Sequence, residues 1–194
     1  MTEKSILVLA STSPRRKDLL NQVGIKVSQV VPPQINEENF SKLVVTKMVV
    51  NLALLKATEV RKKIKNKKAF IVAGDTAVYR TGKVYKKTDD KKIVKKYLCE
   101  LSAKKHFVYS GICIISPDGI ISKRLVKTEV YFNRIPIDQL NNKLLIEEGI
   151  GKAGGYAIQG IASKFVKKIK GSYSNVVGLS LSDVSDILLG LGWK

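Results

Sequence analysis

An apolar run at residues 6–10, ILVLA, stops abruptly at Ser11, Thr12, Ser13, Pro14, Arg15 and Arg16, and no other stretch of the 194-residue chain constrains the fold as much. Five short, β-prone apolar residues read as a buried strand, Ser13 suits a helix N-cap and Pro14 suits the first helical position. The junction therefore reads as a strand feeding a phosphate-binding helix start. Arg15 and Arg16 fall in the first turn, where the positive end of the helix dipole disfavours cations. Local stability does not explain that pair; a bound polyanion does, and two solvated arginines at a surface helix start are the alternative.

At this length the chain buries one good core, or two small lobes sharing a cleft, and one compact unit spanning 1–194 is expected. Hydrophobic content is 44%, with no apolar run near the roughly 18 residues of a membrane span. The N-terminal residues lack a secretory pattern, so a soluble, cytoplasmic protein without membrane contact is expected. Cys99 and Cys113 then read as reduced, buried thiols. His106 is the sole histidine, which excludes His-rich zinc sites and any triad needing a second one. It reads as a polar residue at a strand edge.

A net charge of +19 attracts nucleic acids and phosphorylated ligands alike. Much of the excess is lysine in pairs scattered along the chain, such as Lys62 and Lys63, Lys95 and Lys96, and Lys167 and Lys168. A nucleic-acid module concentrates arginine with stacking aromatics on one face, so these lysines read as solvated surface and nucleic acid is not expected as a partner.

Along the chain, Leu19, Leu20 and Val23 mark a short helix that Gly24 ends, and residues 26–31 return as a strand broken by Pro32 and Pro33. Residues 35–39, INEEN, form a loop, after which Ser41 caps a helix to about Lys63 with Val44, Met48, Leu52 and Leu55 inward. Residues 69–73 form a second buried strand, with Gly74, Asp75 and Thr76 at its end, where α/β sheets place ligand chemistry. A hairpin turns at Thr81 and Gly82, and Thr88 caps a helix whose face is Ile93, Tyr97, Leu98 and Leu101. Two long strands flank Pro117, Asp118 and Gly119. Pro136 opens a helix with Leu140, Leu144 and Leu145 inward, closed by Gly149 and Gly151. The loop KAGGYAIQG at 152–160, a strand near 165–169, a GSYSN loop and a last helix carrying Leu181, Val184, Leu188 and Leu191 complete a mixed α/β sheet.

Ser11, Arg15 and Arg16, with Lys56 and Lys86 from other elements, are five groups suited to a polyphosphate. Cleaving a phosphoanhydride also needs a divalent ion with oxygen ligands, and Glu37 and Asp75 sit in suitable loops, with Mg²⁺ or Mn²⁺ the natural choice. The plainer alternative makes Asp75 a turn cap and Glu37 a loop acid. The patterns GxxxxGK[ST], GxGxxG after a strand, and GxSxG are all absent, which excludes the common P-loop, dinucleotide-binding and serine-hydrolase designs. The 152–160 loop is either a structural glycine turn or a reader of a base edge through the Gln159 amide.

Five blocks, LASTSPRR (9–16), LALLKA (52–57), VAGDTAV (72–78), KAGGYAIQG (152–160) and GSYSNVVGL (171–179), together resemble the Maf family of nucleotide pyrophosphatases, in the family's order and over nearly the whole chain. The resemblance implies a Maf/ITPase-like fold, with an elongated twisted sheet flanked by helices and two lobes around a central cleft. It implies hydrolysis of nucleoside triphosphates to monophosphate and pyrophosphate with a divalent cation, a homodimer, a role in clearing unfit nucleotides, and a link to septum formation. Carried over by position, Asp75 matches the proton acceptor, Ser11, Arg15 and Arg16 the phosphate loop, and Glu37 a metal-linked acid. Lys56 matches the helix lysine, and Lys86 with Asp89 the KPxD motif. Arg15, Thr76 and Gln159 match positions tied to base choice, and Thr76 with Gln159 resembles the dTTP/UTP branch rather than the 7-methyl-GTP branch. Lys87, Gly151, Asn36 and Ser180 depart from the family pattern, and Gly151 is expected to loosen the loop bearing Gln159. The competing reading is a basic nucleic-acid-binding or division-regulatory protein without turnover.

Overall fold

The computed structural model describes residues 5–37, 40 and 43–194. Its mixed sheet has seven strands in the order β2-β1-β3-β5-β6-β7, with β4 paired to β3, and helices flank it. The strands are β1 (Ile6–Ala10), β2 (Gln29–Val30), β3 (Ala69–Arg80), β4 (Lys83–Tyr85), β5 (Lys105–Ile115), β6 (Ile121–Phe132) and β7 (Val166–Lys170). The helices are α1 (Pro14–Gln22), α2 (Val45–Lys63), α3 (Lys91–Leu101), α4 (Ile137–Leu140), α5 (Lys143–Gly149), α6 (Tyr173–Val177) and α7 (Leu181–Gly190). The mixed α/β class read from the sequence is what the structure has.

Two compact units divide the chain. The first comprises Met1–Asp75, Ser110–Val126 and Gly178–Lys194, and the second Thr76–Tyr109 and Lys127–Val177.

In the first unit, β1 lies parallel to β3 with Ile6 opposite Ala69 and Ala10 opposite Ala73, so two runs of apolar residues are buried side by side. Parallel strands covered by helices are buried on both faces, which is why neither run alternates with polar residues. The core of this unit joins Val8, Ala10, Ile71 and Ala73 to Ala53, Ala57 and Val60 of α2 and to Cys113 and Ile115 of β5. Within residues 26–31 the strand is Gln29 and Val30, opposite Val8 and Leu9, flanked by bonds from Ser28 N to Leu7 O and from Val31 N to Leu9 O, both 2.9 Å; the two prolines that follow supply no amide hydrogens and end the pairing.

The buried stripe of α2 is Val45, Val49, Leu52, Ala53, Lys56, Ala57 and Val60, whereas Val44 is 66% exposed. Of the four residues expected inward, only Leu52 is fully buried. The physical reason is close approach. A Cβ on Gly111 would lie 2.2 Å from the Val49 carbonyl oxygen, so the helix backbone nearly touches the sheet and the facing positions must be small or compact. The expected cap Ser41 lies outside the described residues, and the helix begins after Val44.

In the second unit, β3 continues to Arg80 and turns at Thr81 (φ 43°) and Gly82 (φ 81°) into β4, as expected of the hairpin. Asp90 rather than Thr88 caps α3, its side chain accepting from Lys92 N at 2.7 Å, and Val94, Leu98 and Leu101 are the buried face. The helix expected from Pro136 breaks in two because Asn142 caps a fresh start by accepting from Leu144 N. Leu144 is consequently exposed. The GSYSN segment enters the short helix α6 instead of remaining a loop. Asn175 Nδ2 donates to Val108 O at 3.1 Å and to Thr128 Oγ1 at 3.0 Å, tying that helix to β5 and β6. His106, expected at a strand edge, is wholly buried, and Cys99, expected buried, is exposed.

Candidate functional site

Ser11 stands one residue past the end of β1, where it meets the start of α1. Its Oγ accepts from Ser13 N at 3.1 Å and from Arg16 Nη1 at 3.1 Å, so Ser11, not the Ser13 side chain, satisfies a donor at this helix start. Arg16 Nε also donates to Gly178 O at 2.8 Å. These bonds hold a buried guanidinium inside the first unit. Burial pulls its pKa below the ordinary value, the Asp75 charge opposes that pull, Arg15 adds to it, and Glu37 opposes it. Arg16 thus shares one electrostatic neighbourhood with Asp75, Glu37 and the half-buried Arg15.

Asp75 is the seventh residue of β3, within the strand rather than past its end as the sequence reading placed it. Its Oδ1 accepts from Lys56 Nζ at 2.6 Å, and the same ammonium lies 2.7 Å from Glu37 Oε1. Side-chain exposure is 9% for Lys56, 12% for Asp75 and 56% for Glu37. The face that α2 turns to the sheet lies one residue on from the one expected, and Lys56 is on it. Burying charged groups costs more desolvation than their attraction returns unless the geometry is very good, and an apolar replacement is often as stable. A lysine and an aspartate kept almost dry are therefore better explained by chemistry than by stability.

The cluster fits a hard divalent cation. Two carboxylates already converge on one positive charge, the Lys56 ammonium, and carboxylate oxygens are the donors such ions prefer. Among the described residues no three His, Cys, Asp or Glu side chains gather. Glu37 and Asp75 are the residues that would hold such an ion, with water and phosphate oxygens needed to complete its coordination sphere.

Thr76, Lys86 and Gln159 belong to the second unit, on three separate segments. Thr76 is half-buried in β3, Lys86 is exposed just after β4, and Gln159 is exposed near the end of its loop. Gly151 N donates to Thr88 O at 2.9 Å, tying the entry of that loop to the segment carrying Lys86 and Asp89. Gly151 has φ +67°, a region where side chains are strained, and a Cβ there would lie 4.0 Å from Asp89 Oδ1. Glycine suits the local backbone, and an aspartate would be both strained and close to a like charge. At the other end of the loop, Glu148 Oε2 accepts from Ile161 N at 2.7 Å.

Sequence reasoning missed the role of Gly178 as an acceptor for Arg16. The GSYSNVVGL block was the available signal, but nothing local in it points to a residue 162 positions earlier.

The profile described as "Maf-like protein" matches residues 6–191. A protein of Paramagnetospirillum magneticum called dTTP/UTP pyrophosphatase is 40% identical over 189 residues, covering 97% of this chain and 98% of the relative. Its namesake in Chelativorans sp. is 38% identical over 198 residues, covering 100% and 95%. A third, of Mesorhizobium japonicum, is 38% identical over 192 residues, covering 97% and 92%. With matches of this extent the chain belongs to the Maf-like protein family.

Proposed function

We propose that this chain hydrolyses nucleoside triphosphates to nucleoside monophosphate and pyrophosphate, with dTTP and UTP preferred. The observation that carries the reading is the Lys56 ammonium set between Glu37 and Asp75, in the electrostatic neighbourhood of a buried Arg16. The names of the three relatives support both the reaction and the bases.

Arg15, Arg16 and Lys56 neutralise the phosphate chain, with Ser11 and Gly178 holding the Arg16 fork. Lys86 is assigned to phosphate binding as well, and Thr76 and Gln159 to the base. Glu37 and Asp75 would hold a divalent cation, Mg²⁺ or Mn²⁺, which would offset the charge that develops on the phosphate oxygens. Asp75 accepts the proton of the water that attacks the α phosphorus. The bond between α phosphorus and bridging oxygen breaks, and pyrophosphate leaves. Positioning and charge neutralisation supply most of the acceleration in phosphoryl chemistry, and this site is made of such groups.

We place the enzyme in the cytoplasm as a homodimer that removes nucleotides unfit for incorporation, with any influence on division following from that activity. Among the described residues no helix is long and apolar enough to cross a membrane. The test is a panel of nucleoside triphosphates with Mg²⁺ or Mn²⁺, its products separated into pyrophosphate and orthophosphate. Pyrophosphate from dTTP and UTP is expected. Orthophosphate alone would mean a different bond is cut.

A further inference from the structure

Tyr156 lies inside the glycine-rich loop 152–160, three positions before Gln159, and its ring is buried. Its hydroxyl is 2.8 Å from Nε2 of His106, the second residue of β5, which is itself wholly buried. Phe132 of β6 closes the group. The three rings meet edge-on, with centroids 5.0 Å apart for His106 and Phe132, 5.5 Å for His106 and Tyr156, and 5.0 Å for Phe132 and Tyr156. Nδ1 of His106 has no hydrogen-bond partner among the described residues, so the bond to Tyr156 is the one the buried imidazole makes.

Apolar rings would fill this space without leaving a buried nitrogen unsatisfied, and an orphaned polar atom is a net cost. Packing alone therefore gives no reason for a histidine and a tyrosine here. What the pair adds over two apolar rings is direction, since a hydrogen bond holds the loop backbone at one height above β5 and ring packing does not. The neighbouring restraints act at the ends of the loop, through Gly151 N on Thr88 O and Glu148 on Ile161 N. His106 and Tyr156 act near its middle, close to Gln159.

We propose that His106 and Tyr156 are positioning residues for base selection, their hydrogen bond setting the loop so that the Gln159 amide meets the edge of the base. The inference rests on the reading of this chain as a nucleotide enzyme whose 152–160 loop reads the base. Tyr156→Phe removes one oxygen and keeps the ring, and His106→Leu removes the imidazole, while His106→Gln keeps a donor and an acceptor. The readouts are the ratio of kcat/KM for dTTP over dCTP, and the ratio of calorimetric Kd values for the α,β-methylene analogues of the two, which needs no turnover. The expected result is a loss of about tenfold in both ratios for Tyr156→Phe and His106→Leu, the effect of one hydrogen bond. It falls mainly on the dTTP side as a raised KM, with partial rescue in His106→Gln. Ratios that stay at the wild-type value, with all nucleotides weakened in parallel, overturn the inference and leave a structural role only. Gln159→Ala separates the two readings. If it leaves the ratios intact while Tyr156→Phe lowers them, Gln159 is not what the bond positions and the inference is overturned in that form. If it lowers them and Tyr156→Phe does not, Gln159 reads the base and the positioning role is wrong. A wild-type chain that binds neither analogue overturns both.

Discussion

Lys56 Nζ lies 2.6 Å from Asp75 Oδ1, and both side chains are nearly excluded from water. In the proposed reaction Lys56 brings positive charge to a phosphate chain and Asp75 takes a proton from water, and the contact holds these two groups against each other.

Asp75→Asn keeps the size and polarity of the side chain and removes its basicity. Lys56 retains Glu37 as a partner, so the fold and nucleotide binding persist. Turnover of dTTP is expected to fall by about 10²- to 10⁴-fold, the usual contribution of a positioned general base. Steady-state kinetics with calorimetric binding checks both halves of the statement.

Lys56→Met leaves Asp75 buried without its nearest cation. Removing one partner of a buried pair costs about 3–5 kcal/mol. The lower end of that range is expected here, because Arg16 still opposes the Asp75 charge. Urea unfolding measures the loss, and the KM for triphosphate is expected to rise in the same variant.

The sequence made the first strand and helix legible because their signals are local. Residues 6–10 form β1 as read, and Pro14 opens α1. The face of α2 was not legible. Ala53 and Ala57 look weakly apolar in isolation, and only the close approach at Gly111 makes small residues the right ones to bury. The LALLKA motif points to Lys56, but its burial follows from the same choice of face. The Arg16 bond to Gly178, across 162 positions, exists only after folding. The sequence points to Asp75 as a residue but not to its position inside β3, because the polar pair GD within an apolar run reads as a strand end.

Gly111→Ala tests the packing that orients Lys56. The added methyl meets the Val49 carbonyl, which is backbone and cannot swing aside. Destabilisation of about 1–3 kcal/mol is expected from overpacking. Activity should fall further than stability alone accounts for, because the shift displaces α2 and the ammonium it carries.

His106 makes stability sensitive to acid. Burial, with a smaller push from the Arg80 charge, lowers its pKa from 6.5 to about 3. Above pH 6.5 the imidazole is neutral in both folded and unfolded chains, and its contribution is fully present. Between those two values the unfolded chain binds a proton that the folded chain refuses. Stability therefore drops by about 1.4 kcal/mol for each pH unit over that window, and His106 adds no further loss below it. His106→Gln should flatten this part of the profile relative to wild type, as read by urea midpoints from pH 7 to pH 4. Identical slopes in the two proteins would show that other groups govern the acid response.

Hydrolysis of dTTP in ¹⁸O-labelled water, with the products resolved by mass spectrometry, shows which phosphorus the water attacks. If Asp75 directs water to the α phosphorus as proposed, dTMP will carry one labelled oxygen and pyrophosphate none. Label in pyrophosphate, or release of orthophosphate with dTDP, would contradict it.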